Sequence, residues 1–301
     1  MKRSVAYYQG CSLEGLAVEY DLSTRAVCEA LDIELVEIPD WSCCGSTPAH
    51  SYDPLLSAAL AGRNLAIAEK LRCETVMTPC PGCLKSLKGA LLTYHDTKDH
   101  DAFMELLAMP FAGQVKAVSL LQLLYEEVGP DLIGQRVLFP LTGLVLAPYY
   151  GCLLTRPAGF AQFDDPENPL SMDALLKAVG ATVVDFPYKT ECCGATYGVT
   201  RNAIVGKLAG RILDMAASLG AQALAVACPL CQQNLDLRQS QVDRYWKRRF
   251  GIPVLYITQL LGLAFGIDSR RLGLDKLFVD AAFITRTLHA PTEEVKAFQG
   301  N

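Results

Sequence analysis

The chain has 301 residues, a formal net charge of -5, half its residues apolar and a fifth charged. That composition excludes disordered, collagen-like and low-complexity chains, and it lacks the basic excess that marks a nucleic-acid binder. Its 12 cysteines are too sparse for a disulfide scaffold, and the length suits roughly two domains of about 150 residues.

In chain order, Met1–Gly10 opens with two basic residues but no secretory core, which needs about 7–15 apolar residues. The chain is therefore expected to be cytoplasmic, where thiols stay reduced and cysteines more often serve metal or redox chemistry. Apolar spacing predicts a helix over Ser23–Leu31, capped by Asp21 or Ser23, and a strand over Glu34–Ile38. A long helix over Leu55–Leu71 and a strand over Thr75–Thr78 follow. Asp96–Asp101 is expected to be a loop, Val118–Val128 a helix and Val137–Ala147 one or two strands. The second half predicts a helix over Met172–Val179 and a strand over Ala181–Phe186, then a helix over Ala203–Leu219 and a strand over Ala223–Ala227. The most apolar stretches, Val137–Tyr150 and Ile252–Ile267, are 14 and 16 residues long, short of the roughly 20 that span a bilayer. No transmembrane segment is expected. Strands alternating with helices imply an α/β fold with a small parallel sheet in each half.

The cysteines reveal an internal repeat. Cys11, Cys43-Cys44 and Cys80-Pro81-Gly82-Cys83 are answered by Cys152, Cys192-Cys193 and Cys228-Pro229-Leu230-Cys231. Leu60-Ala61-Gly62-Arg63 recurs as Leu208-Ala209-Gly210-Arg211, at the same offset of 148 that carries Cys80 onto Cys228. Tyr7-Tyr8 before the first cysteine answers Tyr149-Tyr150, and Gln114–Leu121 faintly answers Pro253–Leu260. The chain reads as a tandem duplication, with domains at 1–145 (including a linker from about 96) and 146–301. In this register Cys28 faces Leu176 and Cys73 faces Ala221, so these two unduplicated cysteines read as small buried hydrophobes.

Each Cys-Pro-x-Cys is placed where a strand's C-terminal end enters a helix, the place where sites of open α/β sheets form. Adjacent cysteines suit a cluster of several irons better than one tetrahedral ion. Five thiolates also exceed the four that an ordinary [2Fe–2S] or cubane [4Fe–4S] cluster uses. One structural zinc ion per Cys-Pro-x-Cys is an alternative, and dithiol chemistry at Cys80 and Cys83 is another; neither uses all five cysteines.

These motifs resemble the CCG-domain family, in particular the B subunit of heterodisulfide reductase, over nearly the whole chain. The resemblance implies two pseudo-two-fold-related CCG domains, each binding one noncubane [4Fe–4S] cluster. Cys11, Cys43, Cys44, Cys80 and Cys83 would hold the first, and Cys152, Cys192, Cys193, Cys228 and Cys231 the second. It also implies cleavage of a disulfide between the clusters in two one-electron steps, or the reverse thiol oxidation. Electrons would come from the ferredoxin-like C subunit of heterodisulfide reductase, fed in turn by a flavin-containing A subunit. Ser46-Thr47-Pro48 after the first pair is more similar to bacterial and sulfur-metabolism branches. There the substrate is a small-molecule disulfide or thiol, or a lipoyl-type carrier. The alternatives are an electron-transfer subunit serving a flavin or quinone partner without disulfide cleavage, and a zinc-binding structural subunit.

Among other residues, His50 is a candidate proton donor to a thiolate product, set against a plain loop residue. His95, His100 and His289 are expected on the surface. Tyr7, Tyr8, Tyr149, Tyr150 and Tyr197 are candidates to donate protons or to shield a cluster. Lys85, Arg156, Lys189 and Arg201 are candidates to neutralise an anionic substrate, with a solvated surface as the default for each. Arg63 and Arg211 recur and are expected to pair within their domains, and Trp246–Arg249 to lie on a solvated helix face.

Overall fold

The computed structural model describes residues 3–46 and 48–288. Two four-stranded, all-parallel sheets carry the chain. The first orders Ile33–Glu37 (β2), Arg3–Tyr7 (β1), Thr75–Thr78 (β3) and Lys116–Ser119 (β4) as β2-β1-β3-β4. The second orders Thr182–Val183 (β6), Val145–Tyr149 (β5), Ala223–Val226 (β7) and Val254–Tyr256 (β8) as β6-β5-β7-β8. Registers repeat as well: Ala6 faces Val76 in the first sheet, and Ala147 faces Leu224 in the second.

Both faces of each sheet are covered, so the strands read as apolar runs rather than as clean alternations. Along β1 the period of two is still visible. Val5 and Tyr7 enter the core shared with the second half, while Ala6 and Tyr8 enter a separate core beneath the first half's outer helices. The outer helices are Pro54–Lys70 and Pro81–His95 in the first half and Asn202–Ser218 and Pro229–Leu235 in the second. Asp53 caps the Pro54 helix by accepting from the Leu55 and Leu56 N–H groups.

The recurring Leu-Ala-Gly-Arg explains itself here. A Cβ on Gly62 would stand 2.6 Å from Phe103 Cζ, and one on Gly210 1.9 Å from Trp246 Nε1. In each half the glycine lets an aromatic ring from a following helix lie against the helix backbone. The arginine beside it anchors the loop after the second strand. Arg63 pairs with Asp40, and Arg211 lies over the ring of Tyr188 at 5.3 Å, the residue equivalent to Asp40.

The halves exchange helices. Val18–Ala30, which follows β1, packs on Ile257–Ala264 at the end of the second half. Ser171–Ala178 packs on Leu120–Gln122 and Leu123–Val128 at the end of the first. The contact seals with Ser23 Oγ against Thr258 Oγ1 at 2.7 Å, both buried.

Several expectations need correction. The helix expected over Ser23–Leu31 spans Val18–Ala30, starting at Val18 rather than Ser23. Ser23 therefore caps nothing and bonds the Tyr20 carbonyl inside the helix. Of Val137–Ala147 only residues from Val145 form a strand; Leu138 and Leu141 donate instead to the carbonyls of Ala264 and Val179. The strand expected over Ala181–Phe186 shortens to two residues. Residues 116–119 form a strand before the helix expected from Val118, and a helix begins at His100 inside the expected loop.

Candidate functional site: two cysteine nests

In each half three chain segments meet past the C-terminal ends of the central strands, where the crossovers from the first strand part in opposite directions. Such a switch point is where open α/β sheets make their sites. Cys11 follows β1, Cys43-Cys44 follows β2, and Cys80 leads from β3 into the helix bearing Cys83. In the second half Cys152, Cys192-Cys193 and Cys228/Cys231 follow β5, β6 and β7 in the same way.

The thiols of each set interact in pairs. Cys44 contacts Cys83, Cys80 contacts Cys83, and Cys11 contacts Cys43. Likewise Cys193 Sγ lies 3.6 Å from Cys231 Sγ, Cys228 contacts Cys231, and Cys152 contacts Cys192. In both sets the cysteines on the Cys-Pro-x-Cys turn and the second of the adjacent pair are buried, while the first of the pair is exposed. Among the described residues, no three acidic, histidine or cysteine side chains converge as a ready single-ion site.

The glycine before each first cysteine shapes the nest. Gly10 and Gly151 have φ of +71° and +75°, and a Cβ on either would stand 2.9 Å from the Sγ of Cys83 or Cys231. Only glycine meets both demands. A tyrosine then fixes the loop of the adjacent pair. Tyr8 donates to the Ser42 carbonyl at 2.8 Å, and Tyr149 to the Glu191 carbonyl at 2.6 Å. Tyr8 thus answers Tyr149, one residue out of the register read from the tyrosine doublets. Tyr7 and Tyr150 turn elsewhere, donating at 2.7 Å to Asp21 and Asp173.

In each nest neighbouring thiols acidify some cysteines and raise others. The Cys83 thiol, donating to Cys44, holds Cys44 at about 6, helped by the Ser46 N–H and by the hydroxyls of Ser46 and Ser86. Cys152 does the same for Cys192, also at about 6, with the Gly194 and Ala195 N–H groups assisting. Cys193 is lowered by the donating Cys231. A low thiol pKa is what a metal ligand needs. Cys28 is the opposite: fully buried in the shared core, its thiol is pushed up to about 12 by burial. The unduplicated cysteines thus lie apart from the nests. Cys73 is half-buried and makes the same backbone turn as Ala221, its N–H bonding the Ala68 carbonyl as that of Ala221 bonds Ala216.

The remaining candidates divide. His50 and Lys85 line a cavity of about 190 Å³ beside the first nest, together with Ser46 and Ser86. Lys189 is withdrawn from any substrate: it is 3% exposed and pairs with Asp173 at 2.8 Å. Arg156 is engaged by Glu167, the Pro166 carbonyl and Thr190. Arg201 and Tyr197 are exposed. His95 is exposed, His100 is half-buried against the Tyr94 carbonyl at 2.6 Å, and His289 lies outside the described residues. In the Trp246–Arg249 run, Trp246 donates to the Gly206 carbonyl and Arg248 pairs with Asp214.

One feature escapes the repeat altogether. Tyr20 and Tyr256 stack with ring centroids 3.9 Å apart and planes at 7°. Both are fully buried, and neither hydroxyl has a hydrogen-bond partner among the described residues. The pair sits at the seam of the halves, where burial, and then charge on Cys228 or Cys80, disfavours ionisation of Tyr20. Nothing in the sequence signals it, because the two residues are far apart in the chain and lack counterparts in register.

Known proteins agree with this picture. The profile of the CCG cysteine-rich domain matches twice, over residues 5–88 and 146–236. The chain is 36% identical over 285 residues to the 8-methylmenaquinol:fumarate reductase membrane anchor subunit of Wolinella succinogenes, covering 93% of this chain and 99% of the relative. It is 30% identical over 280 residues to the B subunit of ferredoxin:CoB-CoM heterodisulfide reductase from Methanosarcina mazei, covering 90% and 92%. The crystal structure of a hypothetical protein from Helicobacter pylori shares the fold, with a TM-score of 0.75 at 13% identity over 94% of this chain and 53% of that one. No helix among the described residues is long and apolar enough to cross a membrane. Two matching cysteine nests on two matching sheets, with relatives aligned from end to end, show that the chain belongs to the CCG cysteine-rich-domain family, as a two-copy member related to the B subunit of heterodisulfide reductase.

Proposed function

We propose that the protein is the disulfide-reducing, or thiol-oxidising, subunit of a heterodisulfide-reductase-like complex. In this reading Cys11, Cys43, Cys44, Cys80 and Cys83 hold one noncubane [4Fe–4S] cluster, and Cys152, Cys192, Cys193, Cys228 and Cys231 hold a second. The observation that carries it is the duplicated five-thiol nest, with acidified thiols and a glycine cradle in both copies. That donor set fits a multi-iron sulfur cluster: thiolates and backbone N–H groups at a turn.

When bound, the clusters supply one-electron reduction and thiophilic iron at two adjoining sites. Reduction of a disulfide consumes two electrons and two protons and yields two thiols. This chain's part is to hold and orient the clusters. Tyr8 and Tyr149 fix the paired-cysteine loops, and Gly10 and Gly151 keep the cradle open. His50, exposed beside the first nest, can return a proton to a thiolate product. The electron source in this reading is a ferredoxin-like C subunit that draws on a flavin-containing A subunit, and the substrate is a small disulfide or a lipoyl-type carrier.

The 36% identical relative, named as part of a quinol:fumarate reductase, favours a second reading, in which the clusters pass electrons to a quinone or flavin partner without cleaving a disulfide. Iron and acid-labile sulfide analysis with EPR separates the readings. Four irons per half and a signal that responds to added thiol or disulfide support the first. Iron without such a response supports the second, and stoichiometric zinc without sulfide defeats both. Cys193→Ser should lose iron from one half, and Cys28→Ser should keep all of it.

A further inference from the structure

The two nests share their backbone donors and differ in the side chains that flank their cysteines. Ser42 precedes the first cysteine pair where Glu191 precedes the second, Ser46 stands where the second nest has Ala195, Lys85 where it has Gln233, and Ser86 where it has Asn234. In the first nest the Ser46 and Ser86 hydroxyls both reach Cys44. A Cβ built on Gly82 would lie 3.7 Å from Ser46 Oγ and 3.6 Å from Cys80 Sγ, so this hydroxyl sits among the ligand sulfurs. In the second nest Asn234 gives its amide to the Cys193 carbonyl at 3.1 Å, with the Cys193 sulfur at a long 3.8 Å.

The charges run in parallel. Lys85 and His50 line the cavity beside the first nest, whose lining includes no carboxylate. The Glu191 carboxylate acts on Cys192 in the second, and it also faces the Arg211 guanidinium. Solvent follows suit: Cys11 is exposed, whereas Cys152 is only half-exposed. Hydrogen bonds to cluster sulfurs, nearby positive charge and exposure all stabilise the added negative charge of a reduced cluster, and a neighbouring carboxylate opposes it.

We infer that the first nest holds the higher-potential cluster, so that a single electron entering the protein comes to rest in the first half. Ser46, Ser86 and Lys85 are the residues that raise its potential, and Glu191 lowers that of its partner. The step moves one electron from a low-potential one-electron donor and makes or breaks no bond. It rests on both nests holding iron–sulfur clusters and is independent of whether the protein cleaves a disulfide.

The test uses the full-length, cluster-loaded protein, with iron and sulfide counted per chain before a mediated dithionite titration followed by EPR. Two one-electron steps are expected, with the first nest favoured at least tenfold, which is 59 mV or more for one electron. Cys44→Ser should alter the signal that appears first and Cys193→Ser the one that appears second. Ser46→Ala, Ser86→Ala and Lys85→Gln should each move only the higher step, downward. Glu191→Gln should move only the lower step, upward. Lys85 and Glu191 are exposed, so their variants keep the test alive if a serine variant fails to load. Coincident steps, a reversed order, or substitutions that shift the wrong step would overturn the inference in a protein with full iron. Iron in only one nest, seen before any titration, would overturn it together with the two-cluster reading.

Discussion

The two halves share one backbone plan and have diverged in side chains. Strand order, register, glycine cradle and tyrosine strut all recur, because each is demanded by the shape of the nest. Partners that only need to hold something in place have drifted. Arg63 grips a carboxylate where Arg211 lies on a phenol ring. Tyr7 and Tyr150 each reach an aspartate that is backed by a cation, through non-equivalent residues: Asp21 with Arg25, and Asp173 with Lys189. The duplication thus separates what the fold requires from what it merely tolerates.

The comparison breaks most visibly at the cradle. Gly151→Ala should abolish metal binding in the second half alone, because a methyl group there meets Cys231 Sγ at 2.9 Å in a left-handed backbone. Gly10→Ala should do the same in the first half. Iron per chain should fall by about half in each variant; loss of all iron in either one would show that the nests do not load independently.

A smaller effect grades the two helix glycines. Gly210→Ala should destabilise by about 3 kcal/mol, since the clash with Trp246 also disturbs its hydrogen bond to Gly206, and Gly62→Ala by about 1–2 kcal/mol. Chemical unfolding should rank them in that order. Equal costs would mean that Phe103 is as tightly held as Trp246.

Asp236 and its counterpart Lys88 offer a pH comparison. Burial raises Asp236 from 3.8 to about 6, against the Phe278 and Val279 N–H groups that it accepts. A carboxyl raised in the folded state binds its proton more tightly there than in the unfolded chain. Stability should therefore fall as pH rises from about 4 through 6, by about 2–3 kcal/mol from this group. In Asp236→Asn that share of the slope should be lost from a series of denaturation curves, leaving what Glu19, also raised by burial, contributes, whereas Lys88→Met should leave the full slope in place.

The smallest effect concerns the seam. Tyr20→Phe and Tyr256→Phe should each stabilise the metal-free protein by about 1 kcal/mol, because a buried hydroxyl without a partner is removed and the ring stack is kept. A fall in melting temperature would reveal a partner for that hydroxyl.

Much of this was legible in the sequence where a local signal carried it. The Pro39 and Pro187 match set the register that places Cys28 opposite Leu176, and both side chains prove to be fully buried in one core. Strands ending at a Cys-Pro were legible because proline both closes the strand and opens the helix. The tyrosine register slipped by one residue because the doublets Tyr7-Tyr8 and Tyr149-Tyr150 look alike, while only one member of each reaches the paired-cysteine loop. The helix start at Val18 was missed because Val18-Glu19-Tyr20 shows no helical stripe until Glu19 and Tyr20 are buried by the other half. The Val137–Leu144 run is apolar without being a strand, since burial and backbone pairing are separate demands that an apolar run cannot distinguish. The packing of Val18–Ala30 on Ile257–Ala264 and the tyrosine stack depend on contacts across more than two hundred residues, and the reciprocal exchange spans more than forty, beyond any local pattern.

That exchange bears on ancestry and on any attempt to divide the molecule. Each half lends one helix, Val18–Ala30 or Ser171–Ala178, to pack on a late helix of the other, and the core they share closes only when both halves are present. Two identical chains meeting about a two-fold axis would pack in this way, each offering the same surface to the other. The present chain has the form of such a dimer made covalent, with the seam free to lose its symmetry and to gain a unique pair such as Tyr20 and Tyr256. Cut between the halves, the two fragments should find each other when produced together, and neither alone should keep its core dry.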